Sequence, residues 1–155
     1  VQLHLQPLPE CEVDADLMRL VFVNLLGNAL KFTAARPGAG RVGVGLRQTP
    51  RGTAVCVEDD GLGLPPGRDA ELFKPFARLH GEQVPGSGVG LTLVRRIVEA
   101  HGGRAWAESE GLGRGATFCF TLPEGVAGAL SPPAGSSQPD ASSGAQPSQS
   151  TVQPA

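Results

Sequence analysis

The chain has 155 residues, 40% of them hydrophobic, with a formal charge of -2, which is enough for one domain with a real core. Its 13 Lys and Arg against 15 Asp and Glu, with no long basic run, give no electrostatic case for nucleic acid or a membrane surface as partner. It has no run of 18 apolar residues and no signal-peptide pattern, so the segment is expected to be soluble and cytoplasmic, its parent protein either soluble or membrane-anchored.

Val1 to Leu5 alternates with period two and reads as a strand; Pro7 and Pro9 after it suit an edge or a loop. Asp14 and Asp16 stand where either can cap the next helix. That helix, Leu17 to Phe32, is apolar on nearly every side, yet it carries Asn24, Asn28 and Lys31 along one stripe. A buried amide without partners costs roughly 1–3 kcal/mol, so two amides in register point to a polar ligand or ion, or else to ties with neighbouring loops.

Arg41 to Arg47 and Thr53 to Asp59 read as an antiparallel hairpin turning at Pro50 to Gly52. The pleat sets Asp59 on the face of Val55 and Val57, an inward position that an ionised carboxylate tolerates only when something donates to it. From Leu64 to Pro85 a proline-rich connection surrounds Leu72-Phe73-Lys74-Pro75-Phe76. It is expected to be a lid docked by its two phenylalanines, or a minor core completed by them.

Gly86, Ser87, Gly88, Val89, Gly90 and Leu91 open a second helix with Leu91, Val94, Ile97 and Val98 inward and an Arg95–Glu99 pair outside, stopped by Gly102 and Gly103. A glycine-rich loop entering a helix offers free amides to phosphate, although the Walker lysine pattern is absent. His101 reads as a satisfied structural histidine and His4 as an exposed one. Arg104 to Ser109 and Ala116 to Leu122 are two more strands.

Cys11, Cys56 and Cys119 are scattered, without CxxC or metal-ligand spacing. Neither a disulfide framework nor zinc is suggested, and all three are expected to be small buried hydrophobes. Residues 125–155 are mostly Ser, Pro, Gly, Gln and Ala, and are expected to be a disordered tail behind a domain of residues 1–124.

In order, NLLGNALKF, DDGLG, LFKPF and GSGVGL resemble the four boxes of the histidine-kinase catalytic domain in the GHKL ATPase superfamily. The resemblance implies an α/β two-layer sandwich, a mixed and mainly antiparallel sheet with helices on one face, holding ATP under a mobile lid. It implies that Asn28 ligates Mg2+ and that Asn24 lies on the phosphate side of the same helix. Lys31 would meet phosphate oxygens and Phe32 would pack on the base. Asp59 would accept from the adenine amino group through a water shared with Thr117, with Gly61 and Gly63 allowing the backbone close to the base. Gly86, Ser87, Gly88, Val89, Gly90 and Leu91 would wrap the triphosphate, and Arg78 would reach the terminal phosphate, a solvated lid arginine being its equal alternative.

The implied reaction is phosphoryl transfer from magnesium-ATP to a histidine on a dimerisation domain, followed by relay to a response-regulator receiver domain. The full-length protein would be a homodimer and this segment a monomer without the acceptor histidine. Chaperone, gyrase and mismatch-repair ATPases of the superfamily place a glutamate general base where this chain has Asn24, which cannot take a proton. Anti-sigma serine kinases share the fold and rank lower because this chain carries LFKPF. A degenerate nucleotide-binding or scaffold module is the alternative from another class.

Overall fold

The computed structural model describes residues 1–8, 10–81 and 84–122. The expected tail, together with the end of the expected domain at residue 124, lies outside the described residues.

Among the described residues, five strands form one sheet in the order β1-β2-β3-β5-β4, with β1 at Gln2–Leu5, β2 at Arg41–Thr49, β3 at Gly52–Asp59, β4 at Ala105–Glu108 and β5 at Ala116–Thr121. The β1–β2 pair is parallel and the other three are antiparallel; the crossover that the parallel pair needs is supplied by helix α1, Ala15–Ala34. The hairpin turns more tightly than expected, because β2 runs on to Thr49 and leaves Pro50 and Arg51 as the turn.

Asp14, and not Asp16, caps α1: its carboxylate accepts from the amides of Asp16 at 3.1 Å and Leu17 at 2.9 Å. The helix buries Met18, Val21, Leu25, Ala29 and Thr33, residues three and four apart on one face. By length and composition it would pass for a membrane span, yet this face lies in the core of the domain. Helix α2, Gly90–Ala100, packs beside it and buries Leu91, Val94, Ile97 and Val98, while Arg95 meets Glu99 at 2.8 Å outside, as its spacing predicts.

Alternation along the strands divides the sheet into two faces. Val42, Val44, Val55, Val57, Phe118 and Phe120 face the helices and share their core; Phe22 of α1 meets Phe120 edge-on at 5.9 Å. Ala54, Cys56 and Cys119 form a second, smaller cluster under Trp106 on the opposite face. The sandwich expectation therefore holds, with both helices on one side.

One sequence expectation is overturned here. Cys56 and Cys119 are buried as expected, but they are directly opposite each other across β3 and β5 and are joined as a disulfide. Their separation of 63 residues hides the pairing, which becomes visible only once the strand register is known. Cys11 is a free, half-buried cysteine packed against the core.

Candidate functional site

The polar stripe of α1 faces the entry to α2. Asn24, Asn28, Lys31 and Phe32 line a cavity of about 160 Å3, with Gly86, Ser87, Gly88, Gly90 and Leu91 opposite. Asn24 is held by its amide nitrogen and packs closely on Gly90. Its Nδ2 donates to the Leu20 carbonyl at 2.8 Å, and its Oδ1 lies so near Gly90 that a Cβ there would stand 2.5 Å away. The Lys31 ammonium points to the glycine loop, 3.5 Å from where a Cβ on Gly86 would sit. Two amide side chains, a lysine and a helix N-terminus thus converge on one space, a donor set suited to phosphate.

Val89 departs from this pattern, being 42% exposed and outside the lining of the cavity. A much larger open groove, about 880 Å3, lies elsewhere, between the hairpin tip, the end of α2 and β4. It contains none of the stripe residues, so size alone does not locate the site.

Asp59 ends β3 and is 8% exposed. Its Oδ1 accepts from the Gly61 amide at 2.9 Å, while Oδ2 is buried with no partner among the described residues. Burial pushes the carboxyl from 3.8 up to about 6, with the Gly61 and Ala116 amides holding it down and Asp60 adding to the rise. An orphaned buried acceptor of this kind suits a ligand that brings a donor. Asp60 is occupied within the protein, accepting from the Arg41 amide at 2.7 Å and so fixing the loop to β2.

Gly61 and Gly63 are needed for contacts within the protein. A Cβ on Gly61 would press on the backbone of Phe32 and Thr33, and one on Gly63, at φ 69, would overlap the Gly111 carbonyl oxygen. These glycines dock the loop between α1 and the β4–β5 turn. Ser109 strengthens that junction, accepting from the Leu64 amide at 3.0 Å and donating to the Gly115 carbonyl at 2.6 Å.

Thr117 is not brought to Asp59. It pairs with Glu58 on the other face of the sheet, whereas Ala116 is the residue opposite Asp59. A one-residue shift along a strand reverses the face. Ala116 and Ser109 are unremarked in the sequence because backbone register, rather than residue type, places them here.

Asp69–Phe73 in the lid is a short 3-10 turn, and the two phenylalanines of the lid part company. Phe73 is 6% exposed and joins the core, while Phe76 is 75% exposed at a φ of 62, its amide donating to the Gly88 carbonyl at 3.0 Å. Arg78 lines the cavity but gives its guanidinium to the carbonyls of Gly81 at 2.7 Å and Val84 at 3.1 Å. His80, given no role from the sequence, reaches the Gly63 carbonyl at 2.7 Å and packs on the Phe32 ring.

Comparison with known proteins agrees with this geometry. Residues 13–126 match the family described as histidine kinase-, DNA gyrase B-, and HSP90-like ATPase. The chain is 45% identical over 117 residues to the adaptive-response sensory kinase SasA of Synechococcus sp. (strain JA-2-3B'a(2-13)), covering 75% of this chain and 30% of that protein. It is 37% identical over 120 residues to cyanobacterial phytochrome A of Nostoc sp., covering 77% of this chain and 15% of that one. Full-length ShkA, solved in complex with AMPPNP, superposes with a TM-score of 0.64 at 32% identity, over 79% of this chain and 25% of ShkA. The chain therefore spans less than a third of the length of these relatives. An amide-and-lysine stripe facing a glycine loop, an inward Asp59 and this match across most of its length establish that the chain belongs to the histidine kinase-, DNA gyrase B- and HSP90-like ATPase family, as an ATP-binding catalytic domain of the histidine-kinase kind.

Proposed function

We propose that this domain binds magnesium-ATP and passes its terminal phosphoryl group to a histidine on a dimerisation domain of the parent protein, for relay to a response-regulator receiver domain. The observation that carries the reading is the convergence of Asn24, Asn28 and Lys31 with the Gly86 to Gly90 loop on one cavity. Phosphoryl transfer asks a protein mainly for positioning and charge neutralisation, which these groups supply.

The roles divide between phosphate and base. The Lys31 ammonium offsets phosphate charge, and the free amides at the start of α2 take phosphate oxygens. Asp59 Oδ2 accepts from the amino group of the base, and Phe32 packs on its ring. Arg78 reaches the terminal phosphate by exchanging its two lid carbonyls for phosphate oxygens. Asn24, with Nδ2 committed to Leu20, keeps an amide oxygen beside Gly90 but offers no base for activating water, which favours transfer over hydrolysis.

Magnesium fits this donor set. The described residues hold no cluster of three His, Cys, Asp or Glu, but Mg2+ bound through phosphates keeps several waters and needs only one or two protein oxygens. Asn28 supplies one. The ion's contribution when bound is to neutralise phosphate charge during transfer.

None of the histidines here is placed as the acceptor. His101 is engaged at both nitrogens, by the Ile97 carbonyl and the Asp14 amide; His4 is exposed on β1, and His80 lies in the lid. The acceptor thus belongs to the dimerisation domain, through which the full-length protein is a homodimer in the cytoplasm. Calorimetric titration with AMPPNP, with and without magnesium, tests the reading. Binding that tightens with magnesium is expected, and phosphate transfer to a supplied dimerisation domain should follow. No binding in either condition would leave a scaffold module as the better description.

A further inference from the structure

The phosphate side of the site and the base side do not form one open space. Asp59, Gly61 and Gly63 are buried and do not line the cavity that holds Asn24, Asn28 and Lys31. His80 spans the junction. Its Nε2 lies 2.7 Å from the Gly63 carbonyl oxygen, a contact that makes Nε2–H the donor. Its ring stands 5.2 Å from that of Phe32, tilted by 52°. Phe32 lies near the end of α1 and Gly63 in the loop after β3, so a single imidazole from the lid ties the two walls of the base slot together.

We propose that His80 is a gate across the base slot: its imidazole must leave Gly63 and Phe32 before an adenine base can reach Asp59. The proposal rests on the reading of Asp59 as the base acceptor. Asp59 Oδ2 is enclosed and not open to the cavity, and His80, which lines that cavity, bridges the Phe32 ring and the Gly63 carbonyl in the loop that follows Asp59. The partners also suit a latch. Gly63 offers a backbone carbonyl and Phe32 a half-buried ring, so both are available to a base once the imidazole withdraws. Gly81 follows His80 directly at a φ of 56, a backbone position at which glycine is at ease.

The closed gate makes the free protein a low-affinity form, and nucleotide binding is slowed by the fraction of time it stands open. One hydrogen bond and one aromatic contact hold it, which favours the closed form over the open one by a factor of about 5–50.

The test is AMPPNP binding with magnesium to the whole chain, by calorimetry for affinity and stopped flow for rates. Three variants accompany the wild type, each checked for folding by circular dichroism. His80→Ala removes ring and donor and is expected to bind about 5–50 times more tightly, with the gain in the association rate. His80→Phe keeps a ring without the donor, and His80→Gln keeps a donor without the ring; each should show a smaller gain. A loss of structure alone would not raise affinity. Weaker or unchanged binding by His80→Ala would overturn the gate while leaving the nucleotide site in place. Folded proteins that all fail to bind would overturn the base reading of Asp59 and the gate with it.

Discussion

A carboxylate that is 8% exposed, with one oxygen unpartnered among the described residues, is in conflict with folding and in agreement with binding. Its folded value of about 6 lies above the usual 3.8, so between those values the native state holds a proton that the unfolded chain has lost. Stability should therefore rise as pH falls from about 6 to 4, by an amount on the order of 3 kcal/mol, and the gain should be gone above 6. Asp59→Asn should lack this component, measured as the difference between the urea-unfolding free energies of the two proteins across that range. Binding runs the other way, because only the ionised form accepts freely from a base amino group. AMPPNP affinity should fall below pH 6 in the wild type, and Asp59→Asn should bind roughly 10–100 times more weakly at neutral pH. Unchanged affinity in the variant would remove Asp59 from the site. Asn28→Ala should chiefly lose the magnesium-dependent share of binding, so titrations with and without the ion should converge; equal losses in both would contradict a ligand role.

At the scale of elements, the site is a junction of loops fastened by close backbone approach. Gly63 and Gly67 both have positive φ, at 69 and 76, but a Cβ on Gly67 meets nothing within 4 Å, while one on Gly63 would overlap the Gly111 carbonyl. Both alanine variants should be destabilised by backbone strain of about 1 kcal/mol; Gly63→Ala should lose roughly 1–3 kcal/mol more and weaken AMPPNP binding. Equal melting temperatures for the two would show that the junction yields without cost. The elements themselves were legible because their periodicities are unmixed: α1, α2 and all five strands lie within a few residues of where the sequence puts them. The polar stripe and Asp59 were legible as misplaced polarity in apolar patterns. Motif position does not fix strand register, which is why Thr117 does not stand beside Asp59, and a loop histidine such as His80 carries no period that points to its neighbours.

For the whole molecule, the sheet has a helical face that holds the site and an opposite face held by the Cys56–Cys119 bond beneath Trp106. That division predicts that stability and binding can be separated. Closing a loop of this length restricts the unfolded chain, and its loss should cost roughly 2–4 kcal/mol. Asp59 lies three residues from Cys56 on the other side of the pleat, so AMPPNP affinity should stay within about twofold while the protein remains folded. The single tryptophan is a built-in reporter, since Trp106 packs on the cysteine pair and carries Arg51 on its ring at 5.1 Å. Urea unfolding followed by its fluorescence, with and without dithiothreitol, should show the midpoint falling on reduction in the wild type. The double variant Cys56→Ala, Cys119→Ala should start at the lower midpoint and ignore the reductant. A reductant effect that persisted in the double variant would trace to Cys11 and deny the bond its role; a large loss of affinity on reduction would mean that the outer face sets the geometry of Asp59 after all.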